Sequence, residues 1–187
     1  MNSAELEAIR ARAECLAGRE QVQQAYDRMA GEISAAIGSD NPVLVAVMSG
    51  GLVPAGELFT RLDFPVELDY LHATRYQGET RGSDELSWLA RPRTPLAGRT
   101  VLVVDDILDE GVTLAEILAS CRREGARRVL SAVLVEKRHA RKPRNLKADF
   151  TGLMLPDRYL FGCGMDYHGY WRNLPAIYAL AAADEAG

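Results

Sequence analysis

The stretch VLVVDDILDEGVTL, residues 101–114, runs from four apolar residues straight into a cluster of carboxylates, a glycine and a threonine. A short continuous apolar run is typical of a strand that is buried on both faces, and such strands occur in parallel sheets covered by helices. In open α/β sheets, ligands bind beyond the carboxyl ends of these strands. The stretch therefore predicts a parallel α/β fold with a polar site at the end of a central strand.

Similar apolar runs alternate with helical patterns along the rest of the chain. Val22, Tyr26, Met29 and Ile33 recur at steps of three or four, which indicates an amphipathic helix. Strands that alternate with helices in this way are typical of a mainly parallel twisted sheet flanked by helices, the doubly wound α/β class. The expected helices are 4–17, 19–37, 52–62 and 113–124, and the expected strands lie within 42–51, 64–74, 100–104, 127–137 and 148–155.

Length and charge narrow the class of protein. A chain of 187 residues has the usual size of one domain, so we expect a single domain over 1–187, with N-terminal helices in 1–38 and the core in 40–180. The net charge of −4 argues against nucleic acid as a partner. No apolar run approaches the roughly 18 to 20 residues that span a bilayer, and the charged N-terminus lacks a signal-peptide centre. We therefore expect a cytoplasmic protein without a membrane partner.

Cysteine, histidine and basic residues add weaker signals. Cys15, Cys121 and Cys163 are odd in number and share no close spacing, which predicts free thiols. The three histidines, at 72, 139 and 168, have no metal-binding spacing, so we expect them to be structural or solvated. The basic stretch EKRHARKPRNLK, 136–147, is either a solvated loop or one wall of an anion site.

The acidic stretch carries the chemistry. A turn that leaves a strand and enters a helix offers backbone N–H groups and a helix N-terminus to a phosphate. Gly111 allows a close approach of the backbone, Thr113 offers a hydroxyl, and Asp105 and Asp106 can accept hydrogen bonds from two adjacent hydroxyls. The lysine of a nucleotide-triphosphate loop and the three glycines of a dinucleotide fingerprint are both missing. The expected ligand carries a phosphate and a diol.

VLVVDDILDEGVT resembles the signature that binds phosphoribosyl pyrophosphate (PRPP) in type I phosphoribosyltransferases. The segments MSGGLVPAGEL, HATRYQGET, LVEKR, ADFTGLMLPDRYLFGCGMDY and YWRNL are similar, in collinear order from about 40 to 180, to segments of the hypoxanthine-guanine phosphoribosyltransferases. The resemblance implies the fold of that family, a parallel sheet with a small hood formed by terminal segments. It also implies a homodimer or homotetramer.

The resemblance assigns roles to individual residues. It implies that Asp109 is the general base and that the ribose-phosphate site comprises Asp105, Asp106, Asp109, Glu110, Gly111, Val112 and Thr113. It further implies a purine site of Lys137, Tyr159, Leu160 and Ile107, a pyrophosphate site of Ser49, Gly50 and Arg172, a flexible loop with Arg75 and Tyr76, and a Mg²⁺ site of Asp166, Asp105 and Asp106.

Two positions depart from the pattern. Relatives often carry a lysine at the position of Ser49, and usually a threonine at that of Glu110. Because a carboxylate that points at a phosphate would be repulsive, we expect Glu110 to turn outward. PRPP would then be bound by backbone N–H groups and Thr113.

The resemblance implies that the chain joins PRPP to hypoxanthine or guanine and releases IMP or GMP and pyrophosphate. Lys137 would donate to the six-oxo group of the purine, whereas in adenine it would meet another donor, so adenine should be rejected. Two alternatives stay open. One is a xanthine-preferring phosphoribosyltransferase, and the other is a regulator that keeps the fold and senses PRPP or a nucleotide.

Overall fold

The computed structural model describes residues 1–75, 86–139, 141 and 146–185. Its helices and strands alternate along most of the chain, as the sequence predicts. In chain order they are α1 (Ser3–Arg12), β1 (Glu14–Ala17), α2 (Arg19–Ile37), β2 (Val43–Val47), α3 (Leu52–Phe59), β3 (Glu67–Arg75), β4 (Leu86–Ala90), β5 (Thr100–Leu108), α4 (Val112–Arg123), β6 (Arg128–Arg138), β7 (Phe150–Pro156), β8 (Leu160–Phe161) and β9 (Ile177–Ala179).

The main sheet has the strand order β4-β3-β2-β5-β6-β7. All pairings from β3 to β7 are parallel, and β4 joins β3 as an antiparallel edge strand that the sequence did not predict. β5 lies between β2 and β6, so the acidic stretch leaves the sheet near its middle. The predicted α/β class is confirmed.

Helices cover both faces of this sheet, and the strand residues divide between them by alternation. Leu44 and Leu102 pack with residues of α2 and α3 on one face, whereas Val45 and Val103 pack with Ile117 of α4 on the other. Successive strand side chains point to opposite faces, so strands buried on both sides must be apolar throughout. This explains the continuous apolar runs.

The acidic stretch differs from the prediction in one respect. We expected the strand to end at Val104, but β5 continues to Leu108, so Asp105 and Asp106 lie within it. Asp105 is in register with Val133 of β6, and Ile107 with Val135. β5 therefore continues after its apolar pattern stops, because β6 still pairs with it there.

A second, three-stranded sheet has the order β1-β9-β8 and forms the hood. The prediction of one helix over 4–17 is wrong, because α1 ends at Arg12 and Glu14–Ala17 pairs with β9. The strand forms against a partner more than 150 residues away, which no local pattern reveals. The terminal segments thus build the hood, as the resemblance implied.

The two ends of the chain hold the hood together. Leu6 and Ile9 of α1 pack with Phe161 and Leu180 in a small apolar cluster. The guanidinium of Arg12 donates two hydrogen bonds to the Asp184 carboxylate, at 3.1 and 2.6 Å. No helix among the described residues is long and apolar enough to cross a membrane.

Candidate active site at the carboxyl ends of the strands

Two adjoining cavities lie where β2, β5 and β6 end and the hood begins, and Asp106, Ile107 and Asp109 line both. The base cavity, as we call the first, is also lined by Lys137, Tyr159, Leu160, Met165 and Asp166. The phosphate cavity, the second, is also lined by Val47, Met48, Ser49, Gly50, Ala73, Asp105, Glu110, Gly111, Thr113, Leu114 and Arg172.

Asp105 and Asp106 form a pair of neighbouring carboxylates at the end of β5. The backbone N–H of Asp106 donates to Oδ1 of Asp105 at 2.9 Å. Burial, together with the nearby Asp106 carboxylate, raises the pKa of Asp105, and burial also raises the pKa of Asp106. Hydroxyl donors or a cation would therefore stabilise the ionised form of both.

Two glycines allow the loop after β2 to approach this pair. A Cβ on Gly50 would lie 2.1 Å from a carboxylate oxygen of Asp106. Gly164 of the hood has a φ of +106°, and a Cβ there would lie 2.3 Å from the carbonyl oxygen of Gly50. Any side chain at Gly50 would push the loop away from Asp106. The exposed Ser49 lies beside it and lines the phosphate cavity.

The β5–α4 loop presents a helix N-terminus to the same cavity. Gly111 is the residue before α4 and has a φ of +82°. The first N–H groups of a helix lack intrahelical acceptors and are suited to a phosphate. Thr113 lines the cavity, whereas the side chain of Val112 is exposed. The half-exposed Glu110 lines the cavity too, with a carboxylate oxygen 3.9 Å from Nε of Arg141.

Asp109 is surrounded by cations and donors. Nζ of Lys137 lies 2.7 Å from its Oδ2, Nε2 of His139 lies 2.7 Å from its Oδ1, and the Arg141 guanidinium lies 3.5 Å from Oδ1. Partial burial opposes ionisation of Asp109, but the hydrogen bonds and charges of Lys137 and His139 outweigh it, so the pKa is lowered. The base cavity thus offers an ionised acceptor directly beside an ammonium donor.

The hood supplies the opposite wall of the base cavity. Tyr159 packs edge-on against Tyr167, with ring centroids 5.8 Å apart, and remains partly exposed. The carbonyl oxygen of Tyr159 accepts from the N–H of Leu180, so the adjacent pair, Leu160 and Ala179, is a non-hydrogen-bonded pair of the antiparallel ladder. The backbone N–H and C=O of Leu160 therefore point away from β9 and are available to a ligand.

Arg172 links the hood to the carboxylate pair. Its Nη2 lies 2.7 Å from Oδ1 of Asp166, and its Nη1 lies 3.8 Å from Oδ2 of Asp106. Nη1 also donates to the carbonyl oxygen of Gly164 at 2.6 Å. The predicted pyrophosphate residue and the predicted metal ligands thus lie together, although they come from opposite sides of the site.

A different group of potential metal ligands is more compact in the described part of the chain. The donor atoms of Asp109, His139 and Asp157 lie within 4.8 Å of one another. Lys137 and Arg141 already neutralise those carboxylates, at 2.7 Å from Asp109 and 2.6 Å from Asp157. We therefore interpret this group as an ion-pair cluster.

The structure brings together most of the residues that the sequence singled out. Arg75 ends β3, and Tyr76 lies outside the described residues. The sequence interpretation missed His139, whose side chain is 6% exposed and contacts Asp109. Residues two apart in a strand share a face, so the spacing of Lys137 and His139 was the available signal. Met165, which lines the base cavity, was missed as well.

The parallel sheet, the strand-end carboxylates and the helix N-terminus form a site that is suited to a phosphorylated sugar, next to a cavity that suits a planar base. The phosphoribosyl transferase domain matches residues 17–167, and the chain therefore belongs to that family.

Individual relatives agree with this assignment. The chain is 30% identical over 168 residues to the hypoxanthine-guanine phosphoribosyltransferase of Bacillus subtilis, which covers 90% of this chain and 93% of the relative. It is 30% identical over 162 residues to the hypoxanthine-guanine-xanthine phosphoribosyltransferase of Tritrichomonas foetus, with 87% and 88% covered. A crystal structure of a Bacillus anthracis hypoxanthine-guanine phosphoribosyltransferase superposes with a TM-score of 0.84 at 27% identity, over 90% of this chain and 98% of that one.

Proposed function

We propose that this chain transfers the 5-phosphoribosyl group of PRPP to hypoxanthine or guanine, forming IMP or GMP and pyrophosphate. The observation that carries this proposal is the pair of Asp109 and Lys137 in the base cavity, 2.7 Å apart. A 6-oxopurine has its oxo group and its imidazole nitrogen on one edge. Lys137 would donate to the oxo group while Asp109 accepts from the imidazole edge.

The phosphate cavity would bind the sugar half of PRPP. Asp105 and Asp106 would accept hydrogen bonds from the two ribose hydroxyls, which suits carboxylates whose burial disfavours unpaired ionisation. The backbone from Asp109 to Thr113 would bind the 5′-phosphate at the N-terminus of α4. Because Arg141 lies beside Glu110, it would partly offset the repulsion between this carboxylate and the phosphate.

The leaving pyrophosphate would bind at Ser49, Gly50 and Arg172. Carboxylate oxygens are the ligands that Mg²⁺ prefers, usually one or two together with substrate phosphates and water. Asp106 and Asp166 both lie beside the Arg172 guanidinium, and Asp105 precedes Asp106, so these carboxylates would hold magnesium together with substrate phosphates and water. When bound there, magnesium would neutralise charge that grows on the leaving group.

The chemical step joins a purine nitrogen to the anomeric carbon as pyrophosphate departs. Asp109 would accept the proton that the purine loses, and acid–base help of this kind contributes roughly a hundred- to ten-thousandfold to the rate. Arg172 would stabilise the departing charge from the other side. Tyr159 would stack on the purine ring, while the backbone of Leu160 would meet its far edge.

Two further proposals concern the assembly and location of the protein. We infer a homodimer or homotetramer, because Leu52, Leu68 and Tyr70 are exposed around one apolar groove beside α3 and β3. A second copy would cover these side chains, and Leu68→Lys should then lower the mass measured by light scattering. A cytoplasmic location suits the three free thiols of the chain.

A spectrophotometric assay with PRPP and magnesium tests the function. Hypoxanthine, guanine, xanthine and adenine are supplied in turn, xanthine because the name of the Tritrichomonas relative includes it. We expect turnover with hypoxanthine or guanine and none with adenine. Turnover with xanthine alone would favour the xanthine-preferring enzyme. Folded protein that binds PRPP but turns over no base would support the regulator instead.

A further inference from the structure

His139 follows β6 in the basic stretch, yet its side chain is only 6% exposed. Its Nε2 lies 2.7 Å from Oδ1 of Asp109, and its Nδ1 accepts a hydrogen bond from the backbone N–H of Arg141 at 3.2 Å. Because Nδ1 accepts this hydrogen bond, Nε2 is the ring nitrogen that donates to Asp109.

His139 contacts Asp109 from outside the base cavity. Asp109 and Lys137 line the base cavity, whereas His139 is not among the residues that line it. Among the described residues, the other charged groups around the contact are Lys137 on β6, Arg141 after β6, Asp157 after β7, and Glu110 beside Asp109. His139 thus contributes a donor from outside the base cavity.

We propose that His139 is a positioning residue for Asp109, an inference that rests on the proposed role of Asp109 as general base. When Lys137 donates to a bound purine, its hydrogen bond to Oδ2 of Asp109 is weakened. His139 would still hold Oδ1 and keep the carboxylate turned toward the imidazole edge.

Paired substitutions test this role. His139→Leu removes the donor, and we expect kcat to fall by about tenfold while the KM for PRPP is unchanged. The acid limb of the kcat profile should move to higher pH, because loss of a donor raises the pKa of Asp109. His139→Gln keeps an N–H donor and should restore most of kcat and the original acid limb. A Leu variant with unchanged kcat and acid limb, or a Gln variant as impaired as the Leu variant, would overturn the proposal.

Imidazole ¹⁵N NMR provides a second test that does not depend on activity. The chain has three histidines, so the spectrum of His139→Gln identifies the signals of His139 in the unmodified protein. We expect Nε2 to carry the proton that it donates to Asp109. A ring with its proton on Nδ1 and none on Nε2 would overturn the proposal. If the unmodified protein turns over none of the four bases, the proposed function fails, whatever this spectrum shows.

Discussion

The two halves of the site are built in different ways. Most of the phosphate cavity comes from one stretch of chain, because β5 and the start of α4 supply Asp105 to Leu114. The loop after β2 and Arg172 complete it. The base cavity is closed by a hood whose strands come from residues 14–17, 160–161 and 177–179. A mainly contiguous segment therefore lines the phosphate cavity, whereas the wall of the base cavity is supported by strands from distant parts of the chain.

This comparison predicts that substitutions should separate the two substrates. Substitutions at the end of β5 or in the loop after β2 should change the KM for PRPP. Substitutions in the wall of the base cavity should change the KM for the base. Asp109 lines both cavities and should act on the chemical step itself.

The largest effect is expected at Asp109. Asp109→Asn removes the proton acceptor, and kcat should fall about a hundredfold or more while PRPP binding stays nearly intact. Steady-state kinetics and PRPP titration by calorimetry measure the two effects. Asp157→Asn is the matched control, because Asp157 belongs to the same ion-pair cluster but does not line either cavity. Equal losses of kcat and PRPP binding would assign Asp109 to binding.

Lys137→Ala should come next. Loss of a hydrogen bond from a charged donor costs about 1.5–3 kcal/mol, so kcat/KM for hypoxanthine should fall roughly ten- to a hundredfold. The KM for PRPP should change little. The exposed Lys147→Ala serves as a control for the loss of one positive charge. A rise in the KM for PRPP as large as that for the base would break the division between the cavities.

Gly50→Ala should weaken the binding of PRPP. The added Cβ would displace the loop from Asp106, so the KM for PRPP should rise, with about 1–3 kcal/mol lost if the clash is relieved by local movement. Gly31→Ala, in α2 with no atom within 4 Å of the new Cβ, is the control. A Gly50→Ala variant with unchanged affinity for PRPP would contradict the close approach seen here.

The smallest effects are expected from the loss of one methylene group, in the hood or in α4. Ile177→Val in β9 and Ile117→Val in α4 both remove a fully buried group, and each should lower the free energy of unfolding by about 0.5–1.5 kcal/mol. Only the hood variant should raise the KM for the base. Urea denaturation and base titration measure both quantities, and identical kinetics in the two variants would show that the hood tolerates repacking.

More of the phosphate cavity than of the hood could be predicted from the sequence. The apolar run before Asp105 and the glycine at 111 act locally, so the central strand, the loop and α4 could be predicted. Glu14–Ala17 became a strand only because β9 lies beside it, and this pairing has no local signal. The spacing of Lys137 and His139 was a local signal for His139, but its contact with Asp109, 30 residues earlier in the chain, was not.

A ³¹P NMR spectrum of the protein with PRPP, magnesium and hypoxanthine tests the proposed transfer itself. Pyrophosphate and a nucleoside monophosphate should appear in equal amounts, and only when the base is present. Pyrophosphate released without a base, or no change in the spectrum while PRPP is bound, would contradict the proposed transfer.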